Sequence, residues 1–399
     1  MKLMRHRFRV LFLLLLLLLA ASAALLFLRG LRSPASSGAV PGRVLTGDLS
    51  EGIIPGRIWD RAGTLLAETR DGVRTYAEPA ERRASLVHLL GLPSGLIPGG
   101  VETLRAADLY GLRPNLSEAV SRLIKKQPRS GFDLTLTVSA GLCEEILRAA
   151  ASHPETAGKA CCAVVIHPVT GEIAAMASLP TFDPQNLTPE EGEALKTAAG
   201  KPLLNRVTEG LYPLGTLESE FSPIPFPLSG ALLFRDLVTV EAKEPMVTPL
   251  RLCLMACAVA ADGIMPEPRL ISTVKTSAGG VVVPWSTASL GRYCSGEEAA
   301  RRRDAMKAAV SSGAAPLYDP TLNLHAMTGT APFPENAEAG PGQFDWCVAF
   351  NSQPDLPWAL CVLVEDPAPA EGDSHPAALI AGDLFSWIKA HPQLVDRKE

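Results

Sequence analysis

Apolar and polar positions change their spacing several times along the chain, and each spacing predicts a different element. Residues 10–28 form an unbroken apolar run without charge, whereas residues 80–91 and 115–126 have helical spacing. Apolar residues then alternate with threonines over 132–138, which predicts a short strand. A helix is predicted over 140–152, so the first half of the chain mixes helices with short strands.

The second half of the chain alternates strand-like and helical patterns. Two apolar runs separated by Pro168-Val169-Thr170-Gly171 predict a hairpin, because Pro fixes φ and Gly accepts positive φ. Thr248-Pro249 is typical of a helix start, an N-cap followed by Pro. The later elements are a helix over 246–262, strands over 323–331, 345–351 and 358–365, and a helix over 375–390. This order favours one antiparallel sheet packed between helices.

The apolar run Val10–Leu28 predicts a membrane anchor. As a helix it would span roughly 28 Å, which matches the hydrocarbon core of a bilayer. Basic residues precede it, so the N-terminus is expected in the cytoplasm and the bulk of the chain outside the membrane. Ala21-Ser22-Ala23 resembles a cleavage site, which leaves a cleaved signal as the alternative. Because Leu25–Leu28 continue the run, we favour an uncleaved anchor.

Composition narrows the function further. The chain has 399 residues, enough for two or three domains. Its 37 Lys and Arg against 42 Asp and Glu give a net charge of −5, which argues against a nucleic-acid partner. The eight cysteines lack zinc-site spacing and are expected to fill the core as free thiols. No metal and no cofactor is predicted.

Several segments, in this order, resemble the class B penicillin-binding proteins, the membrane-anchored transpeptidases that cross-link peptidoglycan. The resemblance extends over about residues 43–390, and its strength lies in the ordered succession of individually weak motifs. The segments that carry it are Gly56–Gly63 with Leu66-Ala67, Arg74–Tyr76, Gly100–Glu102, Leu109–Gly111, Asp133–Thr137, Ala163–Ser178, Phe182–Pro184, Leu204–Arg206, Thr248–Leu250, Gly313-Ala314, Thr328–Ala331 and Asp345–Phe350.

The resemblance implies an α/β (α+β) fold of the penicillin-binding-protein and β-lactamase type, with an antiparallel sheet flanked by helices. It also implies a division of the chain into a pedestal and a transpeptidase-like domain whose helical subdomain is reduced. The predicted parts are a cytoplasmic tail over 1–9, the anchor over 10–28, a linker over 29–42, the pedestal over 43–130 and the transpeptidase-like domain over 131–392.

The family's reaction needs a serine nucleophile and a lysine one helical turn later that takes its proton. The lead-in Tyr212–Gly215 is present, but Thr216 stands at the serine position and Ser219 at the lysine position. A threonine hydroxyl can attack a carbonyl, although its methyl group restricts the rotamers. Glu220, four residues after Thr216, is the one rescuing base that the local spacing offers.

The two other motifs of the family are also altered. Ser229-Gly230-Ala231 is a weak match to the proton-relaying Ser-x-Asn motif, and a chance Ser-Gly in a connector explains it as well. At the Lys-Thr-Gly strand, Met327 replaces the lysine, whereas Thr328, Gly329 and Thr330 retain a substrate-binding pattern. Met cannot pair with a substrate carboxylate. His325 is predicted on the same strand face as Met327, as an ordinary edge histidine or as a substitute cation.

These changes predict a catalytically degenerate, membrane-anchored protein of cell-wall synthesis that acts as a scaffold or regulator. The alternatives are an active D,D-transpeptidase that uses Thr216 and a reversible sensor of β-lactams or muropeptides. The resemblance implies an active penicillin-binding protein, a glycosyltransferase of the SEDS type and the peptidoglycan peptide as candidate partners.

Overall fold

The computed structural model describes residues 53–97, 99–111, 129–221, 238–239, 246–275, 280–284, 288–312, 317, 319–334, 340–369 and 375–395. These residues all fall within one compact unit. The predicted anchor over 10–28 and the predicted helix over 115–126 lie outside the described residues. Within the part of the chain that is described, no helix combines the length and the apolar character needed to cross a membrane.

The described elements are short strands and helices in alternation. The strands are β1 Ile53–Ile54, β2 Ile58–Trp59, β3 Leu65–Arg70, β4 Val73–Tyr76, β5 Arg129–Ser130, β6 Asp133–Leu136, β7 Ala160–Ile166, β8 Ile173–Leu179, β9 Tyr212–Pro213, β10 Val238–Thr239, β11 Met246–Val247, β12 Ile264–Pro266, β13 Ile271–Lys275, β14 Val281–Pro284, β15 Ser289–Arg292, β16 Leu324–Pro332, β17 Gln343–Asn351 and β18 Ala359–Asp366. The α-helices are α1 Ala80–Leu90, α2 Val101–Leu104, α3 Ala106–Leu109, α4 Ala140–Ser152, α5 Pro189–Thr197, α6 Pro249–Ala260, α7 Gly296–Ser312, α8 Pro376–Ala390 and α9 Pro392–Val395.

A five-stranded antiparallel sheet with the order β16-β17-β18-β7-β8 forms the centre of the fold. Neighbouring residues of β17 show which elements cover its two faces, since successive side chains point to opposite sides. Asp345 accepts a hydrogen bond from the Ala377 N–H at the start of α8. Trp346 donates from Nε1 to the Pro213 carbonyl on the other face. The helix α6 also packs on this sheet, where Cys253 Sγ donates to the Val164 carbonyl of β7 at 3.9 Å. The predicted antiparallel sheet packed against helices is confirmed.

A second, six-stranded sheet has the order β14-β13-β6-β2-β3-β4, with β2 and β6 parallel. Its strands come from both sides of the boundary predicted between residues 130 and 131. A buried ion cluster lies near its β6 strand: the Glu172 carboxylate pairs with Arg61 at 3.3 Å and also with Arg269. The division into pedestal and transpeptidase-like domain stays a prediction.

Local sequence signals explain where several helices begin. Ser139 caps α4 by accepting a hydrogen bond from the Leu142 N–H, and Thr248 caps α6 by accepting one from Arg251. Such caps satisfy backbone donors that a helix start leaves without a partner. The helices predicted over 80–91, 140–152, 246–262 and 375–390 are confirmed to within a few residues at their ends.

All eight cysteines are free and buried. Cys161 and Cys162 lie in β7, Cys347 in β17 and Cys361 in β18, where burial raises the pKa of each thiol. A thiol held neutral in an apolar sheet is a poor nucleophile. The burial of all eight thiols supports the prediction that the cysteines fill the core.

Candidate functional site

The segment that carries Thr216 is a single short 3₁₀ helix, Gly215–Ser219, which directly follows β9. Gly215 adopts φ +55°, a left-handed conformation that favours glycine at the point where the chain turns from strand into helix. Leu217 is buried and anchors this helix in the core, whereas Thr216 and Ser219 are exposed. The hydroxyl at the nucleophile position therefore faces solvent.

The 3₁₀ helix packs directly against the edge strand β16. A Cβ atom placed on Gly329 would lie 2.5 Å from Leu217 Cγ and 2.7 Å from Thr216 Oγ1. On the helix side, a Cβ atom on Gly215 would lie 2.1 Å from the Thr330 carbonyl oxygen. Only glycine fits at both positions, so the retained glycines bring the helix and the strand into backbone contact.

The hydroxyl of Thr216 is held by the backbone of that strand. Its Oγ1 accepts a hydrogen bond from the Thr330 N–H at 3.0 Å. Because β16 is at the edge of its sheet and Thr330 is paired with Asp345 on one side only, this N–H points away from the sheet. The structure thus brings together Thr216 and Thr330, two of the residues predicted for the site.

Ser219 lies one turn after Thr216, as the motif spacing predicted, but its contact is with backbone. Its Oγ donates to the Thr216 carbonyl at 3.4 Å. In a 3₁₀ helix residues i and i+3 eclipse, so Ser219 stacks over Thr216 while Glu220 is rotated by roughly a third of a turn. Among the described residues, no side-chain base hydrogen-bonds to the Thr216 hydroxyl.

On β16, Met327 and Thr328 are half-buried, and Met327 packs against the hydrophobic core. His325 is buried, stacks on Phe350 at 4.7 Å, and places Nδ1 2.9 Å from the Arg303 carbonyl. Burial lowers the pKa of His325, which keeps the ring neutral. Its contacts are those of an ordinary buried histidine. Ser229 lies outside the described residues.

The structure also shows a polar network that the sequence reading missed. Glu365 Oε1 accepts hydrogen bonds from Arg206 Nε at 2.7 Å and from the Tyr212 hydroxyl at 3.0 Å. Arg206 further donates from Nη2 to the Gly200 carbonyl at 2.7 Å. The network fixes Tyr212, and so the start of the segment that leads to Thr216. The sequence signal that could have revealed this network is Glu365, a charged residue near the end of the apolar run of β18.

The described residues contain no group of three or more His, Cys, Asp or Glu side chains that can hold a metal ion. The residues brought together at the strand edge offer hydroxyls and backbone N–H groups. The Thr330 N–H is a donor for an oxyanion, but the oxygen of Thr216 occupies that donor.

Comparison with known proteins supports the family resemblance that the sequence suggests. Residues 245–386 match the family model "Penicillin binding protein transpeptidase domain". The peptidoglycan D,D-transpeptidase MrdA of Acinetobacter baumannii is 34% identical over 104 residues, and MrdA of Escherichia coli K12 is 31% identical over 103 residues. Each match covers 25% of this chain and only 15% of the relative.

Solved structures agree over much more of the chain. Penicillin-binding protein A of M. tuberculosis, in its imipenem acyl-enzyme complex, has a TM-score of 0.68 at 19% identity, covering 85% of this chain and 99% of the other. The D,D-transpeptidase domain of an Eggerthella lenta peptidoglycan glycosyltransferase has a TM-score of 0.62 at 20% identity, covering 85% and 99%. Together the matches confirm the resemblance to the class B penicillin-binding proteins, and the fold is that of their transpeptidases.

Proposed function

We propose that this chain, which has the fold of a class B penicillin-binding protein, takes part in peptidoglycan synthesis without forming an acyl-enzyme. It acts as a scaffold or regulator, anchored in the membrane through residues 10–28, with its bulk outside the cytoplasm. Its relatives are named peptidoglycan D,D-transpeptidases, and one of the similar structures is an acyl-enzyme complex. The altered site of this chain separates its proposed role from theirs.

The observation that carries the proposal is the hydrogen bond from the Thr330 N–H to Thr216 Oγ1 at 3.0 Å. A nucleophilic oxygen needs a free lone pair toward the carbonyl carbon, which must approach within about 3–3.5 Å. The tetrahedral intermediate also needs N–H donors aimed at its oxyanion. Here one contact takes up the Thr330 donor together with one of the two lone pairs of the Thr216 oxygen, so this donor cannot serve an oxyanion while the contact lasts.

The missing base supports the same conclusion. A hydroxyl is a weak nucleophile unless an adjacent base removes its proton. The neutral hydroxyl of Ser219, which donates to backbone, replaces the lysine that the family motif predicts. Removing one member of a coupled nucleophile–base pair typically costs about 10⁴–10⁶ in rate. An acyl-enzyme would then form too slowly to support wall synthesis.

The substrate-binding strand is altered in the same direction. Met327 packs its thioether against the core where the family motif predicts a lysine, so no cation is available there to pair with a substrate carboxylate. His325 does not replace the charge, because its ring is buried and held by the Arg303 carbonyl and Ser352. Weak recognition of the substrate carboxylate and weak activation of the Thr216 hydroxyl both lower the rate of acylation.

An active D,D-transpeptidase is the second candidate, and the exposure of Thr216 favours it. Solvent can reach this hydroxyl, and a water molecule could take its proton if a substrate displaced the Thr330 contact. A reversible sensor of β-lactams or muropeptides needs saturable binding without a covalent bond. The candidate partners of the proposed scaffold are an active penicillin-binding protein, a SEDS-type glycosyltransferase and the peptidoglycan peptide.

Replacing the gene by a Thr216→Ala variant in the bacterium that carries it separates the scaffold from the enzyme. A scaffold keeps its function without the hydroxyl, so the variant should restore normal growth and cell shape wherever deletion of the gene impairs them. An enzyme that uses Thr216 loses function with it. A variant that behaves like the deletion, while its protein level and melting temperature match those of the wild type, would overturn the proposal.

A further inference from the structure

A cavity of about 560 Å³ lies beside the Arg206–Glu365–Tyr212 network and apart from the hydroxyl of Thr216. Ligand pockets span about 300–1,000 Å³, so its size suits a small molecule. Thr216, Ser219 and the 327–330 segment do not line it. Two strands connect the cavity with the Thr216 site: β9 carries the cavity-lining Tyr212, and β16 carries Thr330 and ends immediately before the cavity-lining Phe333.

One wall of the cavity is aromatic. Phe333 and Phe344 meet with ring centroids 4.6 Å apart, and Tyr212 contacts Phe344 edge-on at 5.1 Å. Both phenylalanines are only half-buried, so part of each ring faces the cavity opening. The planes of the two rings are tilted by 50°, so a bound ring can stack on the face of one phenylalanine and touch the other.

A hydrogen-bond acceptor lies directly beside the aromatic wall, since Glu365 of β18 is the cross-strand partner of Phe344. Glu365 Oε1 is occupied by Arg206 and Tyr212, while the hydrogen bonds within the described residues leave Oε2 without a partner. The Glu365 side chain is 24% exposed and lines the cavity. This oxygen can accept from a hydroxyl or an amide N–H of a bound molecule.

The charges around the cavity cancel. Its charged lining residues are Lys201, Arg206, Glu209 and Glu365, two positive and two negative. Arg206 and Glu365 neutralise each other at 2.7 Å, and Arg206 also binds the carbonyls of Gly200 and Lys201, which fixes the facing loop. A charged ligand would lose hydration without gaining a net opposite charge. The site therefore favours a neutral molecule that carries donors.

We propose that this cavity binds a neutral, hydroxyl-rich sugar of the N-acetylated hexosamine class. The apolar face of the ring would stack on Phe333 and touch Phe344, and a hydroxyl or acetamido N–H would donate to Glu365 Oε2. The inference rests on the proposed role in peptidoglycan synthesis, which supplies a glycan of that class as a ligand. It gives the degenerate protein a contact with the wall that requires no chemistry at Thr216.

Saturation-transfer NMR tests this inference with N,N′-diacetylchitobiose and the full chain in a mild detergent, which the predicted anchor requires. We expect saturable binding with a Kd on the order of 1 mM, as is typical of a few stacking and hydrogen-bond contacts. Glucosamine and glucuronic acid, which carry a positive and a negative charge, should bind less well. No saturation transfer from the wild-type protein to N,N′-diacetylchitobiose, or stronger binding of either charged sugar, would overturn the assignment.

Two variants place the binding in this cavity. Phe333→Ala removes the stacking face, and Leu211→Trp places a larger side chain in the cavity lining. Each should weaken binding at least about fivefold, the loss of roughly 1 kcal/mol of contact. Phe182→Ala is the matched control, a half-buried phenylalanine elsewhere, and should bind as the wild type does. Equal binding by Phe333→Ala and Phe182→Ala, both folded by thermal melting, would contradict the proposal. Acylation of Thr216 would instead overturn the proposed function and leave sugar binding unaffected.

Discussion

At the scale of single residues, the chemistry of the site depends on where one hydroxyl finds its hydrogen bond. If a lysine stood one turn after Thr216, the hydroxyl of Thr216 would have a base to which it could donate its proton. In this chain the oxygen accepts from the Thr330 N–H, and Ser219 turns to the Thr216 carbonyl. Gly329 makes this arrangement possible, because any side chain there would meet Leu217 and Thr216.

Gly329→Ala tests that packing. The added methyl would lie 2.5 Å from Leu217 Cγ, so the 3₁₀ helix must move away from β16. We expect a loss of about 1–3 kcal/mol in the free energy of unfolding, the usual cost of overpacking. Denaturant unfolding measures it.

Gly296→Ala is the control for the same chemical change. The nearest atom to a Cβ there is 4.0 Å away, so the free energy of unfolding should change by less than about 0.5 kcal/mol or rise slightly. Equal effects of the two substitutions would mean that the helix does not rest on the strand at Gly329.

At the scale of elements, the sequence predicted helices and strands well where local signals set their limits. Ser139 and Thr248 cap α4 and α6 where the sequence placed helix starts. The 3₁₀ geometry after Gly215 was not predictable, because it depends on the approach of β16, more than a hundred residues later. Motif spacing correctly predicted that Thr216 and Ser219 lie one turn apart. It could not predict the contact of Thr216 with Thr330, because that contact also depends on the position of β16.

A buried histidine joins α1 to a distant loop and should make the fold sensitive to acid. His88 Nε2 lies 2.7 Å from the Pro202 carbonyl and donates to it, while burial lowers the pKa of the ring to about 4. The unfolded chain takes up this proton near pH 6.5, so between pH 6.5 and about 4 the unfolded state binds more protons. The free energy of unfolding should therefore fall, by about 3 kcal/mol in total, as the pH falls through that window.

His88→Gln keeps a donor but removes the titration. The variant should lose less stability than the wild type between pH 6.5 and 4, when urea unfolding is measured across that range. Parallel profiles for the wild type and His88→Gln would show that His88 does not carry this dependence.

At the scale of the whole molecule, the features that the sequence did not predict are those that depend on pairing between distant parts of the chain. The apolar runs in the sequence predicted the strands of the central sheet. The six-stranded sheet was not predicted, because it pairs β2–β4 with β6, β13 and β14, which are far apart in the chain. The ion cluster of Arg61, Glu172 and Arg269 was equally hidden, since each residue looks like an ordinary surface charge in its local sequence. Burial and pairing arise only when the strands meet.

Glu172→Ala tests how much this ion cluster contributes to the stability of the fold. All three side chains are at most 12% exposed, and the substitution leaves two buried guanidinium groups without their carboxylate. We expect a loss of about 3–5 kcal/mol in the free energy of unfolding, the usual cost of breaking a buried pair from one side.

Glu193→Ala removes a carboxylate from an exposed i,i+3 pair with Lys196 and should cost less than about 1 kcal/mol. Calorimetry of both variants makes the comparison. A melting temperature for Glu172→Ala that matches that of Glu193→Ala would contradict a structural role for the cluster.

The central claim, that the chain retains the transpeptidase fold without acylation, is tested most directly by intact-mass spectrometry. The folded full chain is incubated with excess benzylpenicillin, beside an active class B penicillin-binding protein as the positive control. The account predicts that the mass of this chain stays unchanged while the control gains one penicilloyl group. A stoichiometric adduct that peptide mapping locates on Thr216 would contradict it.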